Sequence, residues 1–278
     1  MKIFKSINNN IVSAMDENDR EVVVIGKGIG YKAVRGSIIP PEKIDKIFVM
    51  SNQNNMERLK DLFASIPTVC IEITDEILIF AKKHLHKRLN ETAYFTLADH
   101  ISFAVTRRRQ GMEFQNILLA EVRRFYPKEF EIGLYALQLL RERLNEDMPE
   151  DEAASIALHI LNAEYDISIS DAYQATQLME RIIDTIKGKG YILSTDNYHY
   201  ERFLTHLRYL SQRIIRQEQL PHSSCNALFG MVELQYPAEI ACAKKVREMI
   251  NNTKTFHLPD EELACLALHI RRIAVKEI

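Results

Sequence analysis

Two histidines of this sequence stand in the same local setting, and histidine is a side chain that can carry chemistry. His159 and His269 lie 110 positions apart, each within the sequence Ala-Leu-His-Ile. Neutral imidazole can attack phosphorus, transfer a proton or bind a metal ion. A lone histidine among apolar residues is more often a buried core residue, but repetition in the same setting favours a chemical role for both copies.

A second pair of histidines precedes the first pair and extends the repeat. His100 and His206 lie 106 positions apart. Tyr126-Pro127 and Tyr236-Pro237 lie 110 positions apart, and each tyrosine stands 33 residues before the Ala-Leu-His-Ile histidine of its copy. The chain therefore contains two copies of one module, and each copy carries two histidines.

The histidines fall in a region whose apolar residues have helical spacing. This spacing begins at about Met56 and continues to the C-terminus. Pro149 and Pro259, each followed by acidic residues, predict the starts of the helices that carry the Ala-Leu-His-Ile sequences. Asp75 predicts a further helix start by capping. We expect two homologous all-α domains.

The first 55 residues have a different pattern, in which short β-prone runs alternate with turn residues. The runs are Lys2 to Ile7, Ile11 to Met15 and Glu21 to Ile25. A glycine-containing loop, Gly26 to Tyr31, follows, and a further strand-like piece ends near Pro40. We expect a small antiparallel β-sheet. Because so few strands enclose little core, we also expect dimerisation to stabilise it.

Length and composition set the class of the protein. The chain has 278 residues, of which 46% are hydrophobic and 27% are charged, as in a globular protein of two or three domains. The predicted domains are 1–55, 67–170 and 171–278. No apolar run is long enough for a signal peptide or a membrane span, so we expect a cytoplasmic protein without membrane insertion.

Neither the cysteines nor the net charge indicates a metal site or a broad nucleic-acid surface. Cys70, Cys225, Cys242 and Cys265 form no C-x-x-C pair, so we expect no zinc site and no cofactor. The net charge of −2 argues against coating nucleic acid along the whole chain. Residues 1–55, however, hold eight Lys and Arg against six Asp and Glu. A nucleic-acid contact there must depend on shape and specific groups.

Taken together, these motifs resemble the bacterial sugar-operon transcriptional antiterminators of the BglG, LicT and SacY type. The resemblance covers essentially the whole chain and depends on the order and spacing of several weak motifs. These are Ile7-Asn8-Asn9-Asn10, the loop Gly26 to Tyr31, Thr96-Leu97-Ala98-Asp99-His100, Thr205-His206 and the two Ala-Leu-His-Ile repeats.

The resemblance implies a co-antiterminator RNA-binding domain followed by two phosphotransferase-system regulation domains. Such proteins are regulators and not enzymes. As homodimers they bind a hairpin in the leader RNA of a sugar-utilisation operon, which prevents a terminator from forming. The phosphocarrier protein and a sugar-specific transporter component phosphorylate their histidines, generally with inhibition through the first regulation domain and activation through the second. The implied phosphorylation sites are His100, His159, His206 and His269.

The resemblance also places RNA contacts on residues whose chemistry fits that role. Lysine supplies positive charge for phosphates, asparagine an amide for base edges, tyrosine a stacking face, and glycine a close backbone approach. The implied contacts are Lys5, Asn10, Gly26, Lys27 and Tyr31. Without the resemblance, the glycine loop would be read as a hairpin turn. Lys27 stands where many relatives have arginine, so a bidentate contact there would be lost.

Other interpretations of the same residues remain open at the level of sequence. A metal-dependent hydrolase could use Asp99, His100 and His159 of the first copy, and the equivalent residues of the second copy, as metal ligands. No helix, however, carries an H-x-x-x-H pair. A DNA-binding regulator with the same helical domains would be expected to begin with helices. Asp99 could orient the ring of His100. The arginines that could pair with a phosphate are Arg107, Arg108, Arg109, Arg208 and Arg213.

Overall fold

The computed structural model describes residues 1–49, 53–90, 92–112, 114–195, 198–218, 226–252 and 256–276. It divides into two compact units. The first unit holds residues 1–119 and 126–167, and the second holds residues 120–125 and 168–278. Within the described ranges, no helix is both long and apolar enough to cross a membrane. Cys225 lies outside the described residues.

The elements follow the predicted order, with strands first and helices after them. The strands are β1 (Lys2–Asn8), β2 (Ile11–Met15), β3 (Glu21–Ile25), β4 (Lys46–Phe48), β5 (Tyr191–Leu193) and β6 (Ala274–Lys276). The helices up to the end of the first copy are α1 (Gln53–Ser65), α2 (Thr68–Leu85), α3 (Thr92–Arg109), α4 (Leu119–Phe125), α5 (Pro127–Leu144) and α6 (Glu150–Tyr165). Those that follow are α7 (Ile169–Lys187), α8 (Tyr198–Arg216), α9 (Asn226–Gln235), α10 (Pro237–Asn251) and α11 (Asp260–Ile273).

The N-terminal sheet is antiparallel and has the order β1-β2-β3-β4. The first three strands lie where the sequence predicts them. The strand predicted to end near Pro40 is wrong, because this segment makes only a single bridge, between Lys2 and Ile38. A 3-10 helix, Pro41–Lys43, follows, and the fourth strand lies beyond it. Consecutive prolines lack the N–H groups that would continue the ladder.

Both faces of this sheet are apolar, which explains the continuous valine run of β3. One face forms a small core with Ile3, Ile29 and Ile39. The other face packs through Phe48 against Phe63 of α1 and Tyr94 of α3, with edge-to-face ring centroids 5.5 and 4.7 Å from that of Phe48. Helices of the same unit therefore cover one face of the sheet.

The two helical copies repeat each other in local backbone geometry as well as in order. Tyr126 precedes α5 with φ −134° and ψ 55°, and Tyr236 precedes α10 with φ −134° and ψ 59°. Pro149 and Pro259 occupy the N-cap positions of α6 and α11, which confirms both predicted helix starts. In each copy the histidine-bearing helices, α3 with α6 and α8 with α11, pack against each other.

Two sequence expectations about the helical region are wrong. Asp75 does not begin a helix, because α2 already starts at Thr68 after Pro67, and the Asp75 carboxylate instead pairs with Lys46 of β4. The region is also not helical throughout. Strands β5 and β6 pair in a two-stranded antiparallel sheet, with Ile192 opposite Val275. These strands have three residues each, too few to show a period in the sequence.

Candidate functional site

The glycine loop after β3 is held in place by Asn10. The backbone N–H of Gly28 donates to Asn10 Oδ1 at 2.9 Å, and the N–H of Gly26 donates to the Asn10 carbonyl at 2.9 Å. Gly28 has φ +68°, which glycine adopts without strain. A Cβ on Gly26 would collide with the carbonyl oxygen of Lys43. Gly26 is buried and shapes the loop, whereas Asn10 clamps it.

The loop then runs along the edge of β1 and presents exposed aromatic and basic side chains. Ser6 Oγ donates to the Gly30 carbonyl at 3.0 Å, which fixes the loop beside the strand. Tyr31 is 63% exposed, and Lys32 Nζ lies 5.4 Å from its ring centroid. Lys5 and Lys27 are also exposed. Positive charge beside an exposed ring suits a ligand that has phosphates and stacking bases.

In the first copy, α3 and α6 bring the two predicted histidines together. The ring centroids of His100 and His159 lie 4.7 Å apart. Glu152, in the first turn of α6, places Oε2 3.2 Å from His100 Nε2 and pairs through Oε1 with Arg107. His159 is 9% exposed, and the Glu152 side chain is 3% exposed. The site is a compact group of two imidazoles, a carboxylate and a guanidinium.

The second copy builds the same group from the equivalent residues of α8 and α11. The ring centroids of His206 and His269 lie 4.8 Å apart. Glu262 Oε2 lies 3.3 Å from His206 Nε2, and Glu262 Oε1 lies 3.2 Å from Arg213 Nη2. We refer to each group as a histidine tetrad. The sequence repeat is therefore also a repeat of side-chain geometry.

The two glutamates were missed by the sequence interpretation, which treated them only as acidic residues of a helix start. In each copy the glutamate stands seven residues before the second histidine, and the arginine stands seven residues after the first. Seven residues make about two helical turns, which place both side chains on one face. This doubled seven-residue spacing is the signal that could have identified Glu152 and Glu262. A carboxylate in a first helical turn is also favoured by the helix dipole.

The neighbours of these histidines differ in part from those that the sequence suggested. Asp99 is exposed, and the carboxylate beside the His100 ring is that of Glu152. Arg109 pairs with Glu146 at 2.6 Å, and Arg208 donates to the carbonyl of Phe125 at 2.6 Å. Of the arginines named as phosphate partners, those that reach the tetrads are Arg107 and Arg213.

Burial keeps three of the four tetrad imidazoles, those of His159, His206 and His269, neutral. Desolvation, with the neighbouring His100 second, lowers the pKa of His159 to about 3. Desolvation likewise lowers the pKa of His206 to about 4, with Arg213 contributing, and the pKa of His269 to about 4, with His206 contributing. A neutral imidazole has a free lone pair on one ring nitrogen at pH 7. These side chains are therefore competent nucleophiles towards phosphorus.

The low pKa of His159 predicts a loss of stability in mild acid. Because the unfolded chain takes up a proton near pH 6.5 and the folded His159 does not until about pH 3, stability is full above pH 6.5 and falls below it. The groups that face this ring are His100 and, beyond it, Glu152 and Arg107. When the pH falls from 7 to 5, the free energy of unfolding of wild type should decrease by about 2 kcal/mol more than that of His159→Gln. Urea unfolding at both pH values tests this, and equal losses would contradict it.

Comparison with known proteins identifies the kind of protein to which these sites belong. Residues 1–57 match the CAT RNA binding domain, and residues 75–163 and 180–273 each match the PRD domain. The transcription antiterminator LicT of Bacillus subtilis (strain 168) is 36% identical over 274 residues, which cover 98% of this chain and 99% of LicT. The chain belongs to the LicT family of transcription antiterminators. It is an RNA-binding regulator built from one CAT domain and two PRD domains.

Further relatives of this antiterminator agree with that assignment. The beta-glucoside operon antiterminator of Dickeya chrysanthemi is 38% identical over 277 residues, covering 98% of this chain and 96% of that protein. The crystal structure of GlcT CAT-PRDI is 31% identical, with a TM-score of 0.52, and covers 59% of this chain and 97% of that chain. The predicted fold class and family are confirmed. The metal-dependent hydrolase finds no support among these relatives.

Proposed function

We propose that this antiterminator binds, as a homodimer, a hairpin in the leader RNA of a sugar-utilisation operon. In this proposal residues 1–55 bind the RNA, and residues 67–170 and 171–278 form the two regulation domains. The phosphocarrier protein and a sugar-specific transporter component phosphorylate the histidines of the tetrads. Because transcription takes place in the bacterial cytoplasm, the protein acts there.

The proposed RNA contacts divide into residues that shape the loop and residues that touch RNA. Asn10 Oδ1 accepts from Gly28, which leaves the Asn10 amide N–H groups available to donate to a base. Lys5 and Lys27 are exposed and supply charge for phosphates. Tyr31 offers a ring on which an unpaired base stacks. Gly26 acts by its lack of a side chain, which permits the turn.

The observation that carries the regulatory proposal is the repetition of one tetrad in two domains. Phosphorylation of His100 would add a charge of about −1.5 to −2, by analogy with other phosphoresidues, beside the nearly buried carboxylate of Glu152. The two like charges would repel each other, and Arg107, which now pairs with Glu152, would be drawn to the phosphoryl group. Phosphorylation would therefore rearrange the contact between α3 and α6, which gives the domain two states.

We expect His100→Ala to relieve inhibition in cells that lack the inducing sugar, because the first domain can no longer carry its phosphoryl group. The measurement is a reporter gene placed behind the leader of the operon. His84→Ala is the matched control, since His84 lies on α2 and pairs with Glu131 away from the tetrad. A reporter that stays silent with His100→Ala would remove the proposed role of the first domain.

A further inference from the structure

A small cavity opens beside the histidine pair of the second tetrad. Its volume is about 140 Å³. It is lined by Arg202, His206, Cys265, Leu268, His269 and Arg272. Both arginines are exposed, and within the described part of the chain neither forms an ion pair with a carboxylate. The cavity thus combines two imidazoles with two guanidinium groups whose charge no acid of the described residues neutralises.

Helical spacing places the arginines and histidines on one side of α8 and α11. Arg202 stands one turn before His206 on α8, and Arg272 stands one turn after His269 on α11. Both arginine charges act on the His269 ring, where each disfavours protonation. Planar guanidinium groups bind tetrahedral oxyanions with paired N–H donors. The geometry therefore suits a phosphoryl group or a free phosphate ion.

The first copy lacks this arrangement, although the rest of its tetrad is the same. The residues at the positions of Arg202 and Arg272 are Thr96 and Asn162. Asn162 donates to the carbonyl of Ile167, and Thr96 Oγ1 donates to the carbonyl of Ala93 at 3.5 Å. Neither carries a positive charge. The cationic cavity is therefore a property of the second copy that the repeat does not explain.

We propose that Arg202 and Arg272 form an oxyanion subsite that holds the phosphoryl group of phosphorylated His269. The proposal rests on the proposed function of the tetrads. The subsite serves His269, because both arginines line the cavity beside its ring, whereas His206 Nε2 lies 3.3 Å from the Glu262 carboxylate. The second domain thereby accepts and retains phosphate better than the first domain.

The transfer step needs no component beyond a phosphohistidine on the donor protein. The lone pair of His269 attacks the donor phosphorus, a new N–P bond forms, and the donor N–P bond breaks with its electron pair returning to the donor imidazole. The proton on the other ring nitrogen of His269 moves to the departing imidazole. Nothing is oxidised or reduced. Arg202 and Arg272 balance the charge of the transferred group and are positioning residues.

The first test uses inorganic phosphate and the full chain, with its histidine rings followed by nuclear magnetic resonance. Phosphate should shift the His269 ring resonance saturably, and the Arg202→Gln/Arg272→Gln variant should bind about fivefold more weakly. Arg216→Gln/Arg271→Gln is the matched control, because it removes the same charge from the same two helices and its arginines do not line the cavity. The absence of a saturable shift in wild type, or equal weakening in both variants, overturns the proposal.

The second test uses the phosphocarrier protein with its energy source and measures phosphohistidine at each site by mass spectrometry. Arg202→Gln/Arg272→Gln should slow labelling of His269 about fivefold and leave His100 and His159 unchanged as an internal control. Unaltered labelling of His269 contradicts the subsite. If no histidine of wild type is labelled while phosphate binding still depends on Arg202 and Arg272, the proposed function fails and the anion subsite stands.

Discussion

Tyr31→Ala should weaken binding of the leader RNA hairpin by about 10- to 100-fold, because stacking of one base on an aromatic ring contributes about 1–3 kcal/mol. The ring is 63% exposed, so its removal opens no cavity and should leave the free energy of unfolding unchanged. Filter binding of the full chain at one fixed salt concentration measures the effect, since affinity for nucleic acid depends steeply on salt.

Two further variants separate RNA recognition from loop structure. Tyr31→Phe keeps the stacking face and should bind nearly as wild type does. Asn10→Asp keeps the oxygen that accepts from Gly28 but loses the amide donor, so it should lose RNA affinity while the loop stays folded. If Tyr31→Ala and wild type bound the RNA with equal affinity, the proposal that this loop contacts RNA would be contradicted.

Glu152→Ala should lower the free energy of unfolding of the first unit by about 3–5 kcal/mol, the range found when one partner of a buried ion pair is removed. The Arg107 side chain is 14% exposed, and its only acidic partner among the described residues is Glu152. Its guanidinium lies over the ring of Phe114, so it cannot turn to water without losing that contact. Urea unfolding followed by circular dichroism measures the loss.

The controls for this variant use a surface pair and a double replacement. Glu76→Ala removes the partner of Arg143 from an exposed pair and should cost less than about 1 kcal/mol. Arg107→Met/Glu152→Ala removes both charges of the tetrad pair and should recover much of the stability, because no unpaired charge stays buried. A loss below 1 kcal/mol for Glu152→Ala would mean that the tetrad is not a tightly coupled group.

The sequence predicted those parts of the fold that depend on local pattern. Strands β2 and β3 follow from β-prone runs bounded by turn residues, and the starts of α6 and α11 follow from proline and acidic first turns. These signals act within a few residues. The prediction misplaced the fourth strand because that strand is defined by its pairing with β3, and its three residues are too few to show a strand pattern in the sequence. Asp75 is not a cap because α2 already begins at Thr68, after Pro67, and the Asp75 carboxylate pairs instead with Lys46, which is distant in the sequence.

In the candidate sites, too, local patterns were predictable from the sequence and tertiary contacts were not. The repeat was sufficient to predict that each copy carries two histidines, and the structure brings the rings of His100 and His159 together. It did not reveal Glu152, because a carboxylate in a first helical turn has an adequate local explanation in the helix dipole. The two roles of Asn10, as loop clamp and as RNA donor, likewise required the hydrogen bond from Gly28 to be seen.

Negative charge on the histidine tetrads should change the affinity of the β-sheet domain for RNA. The affinity of the full chain for the leader hairpin of a sugar-utilisation operon is measured before and after treatment with the phosphocarrier protein and its energy source. We expect stoichiometric phosphohistidine and an RNA affinity that changes at least tenfold on treatment. Treatment should leave the affinity unchanged when all four tetrad histidines are replaced. Full phosphorylation of wild type with an unchanged affinity would contradict the regulatory proposal.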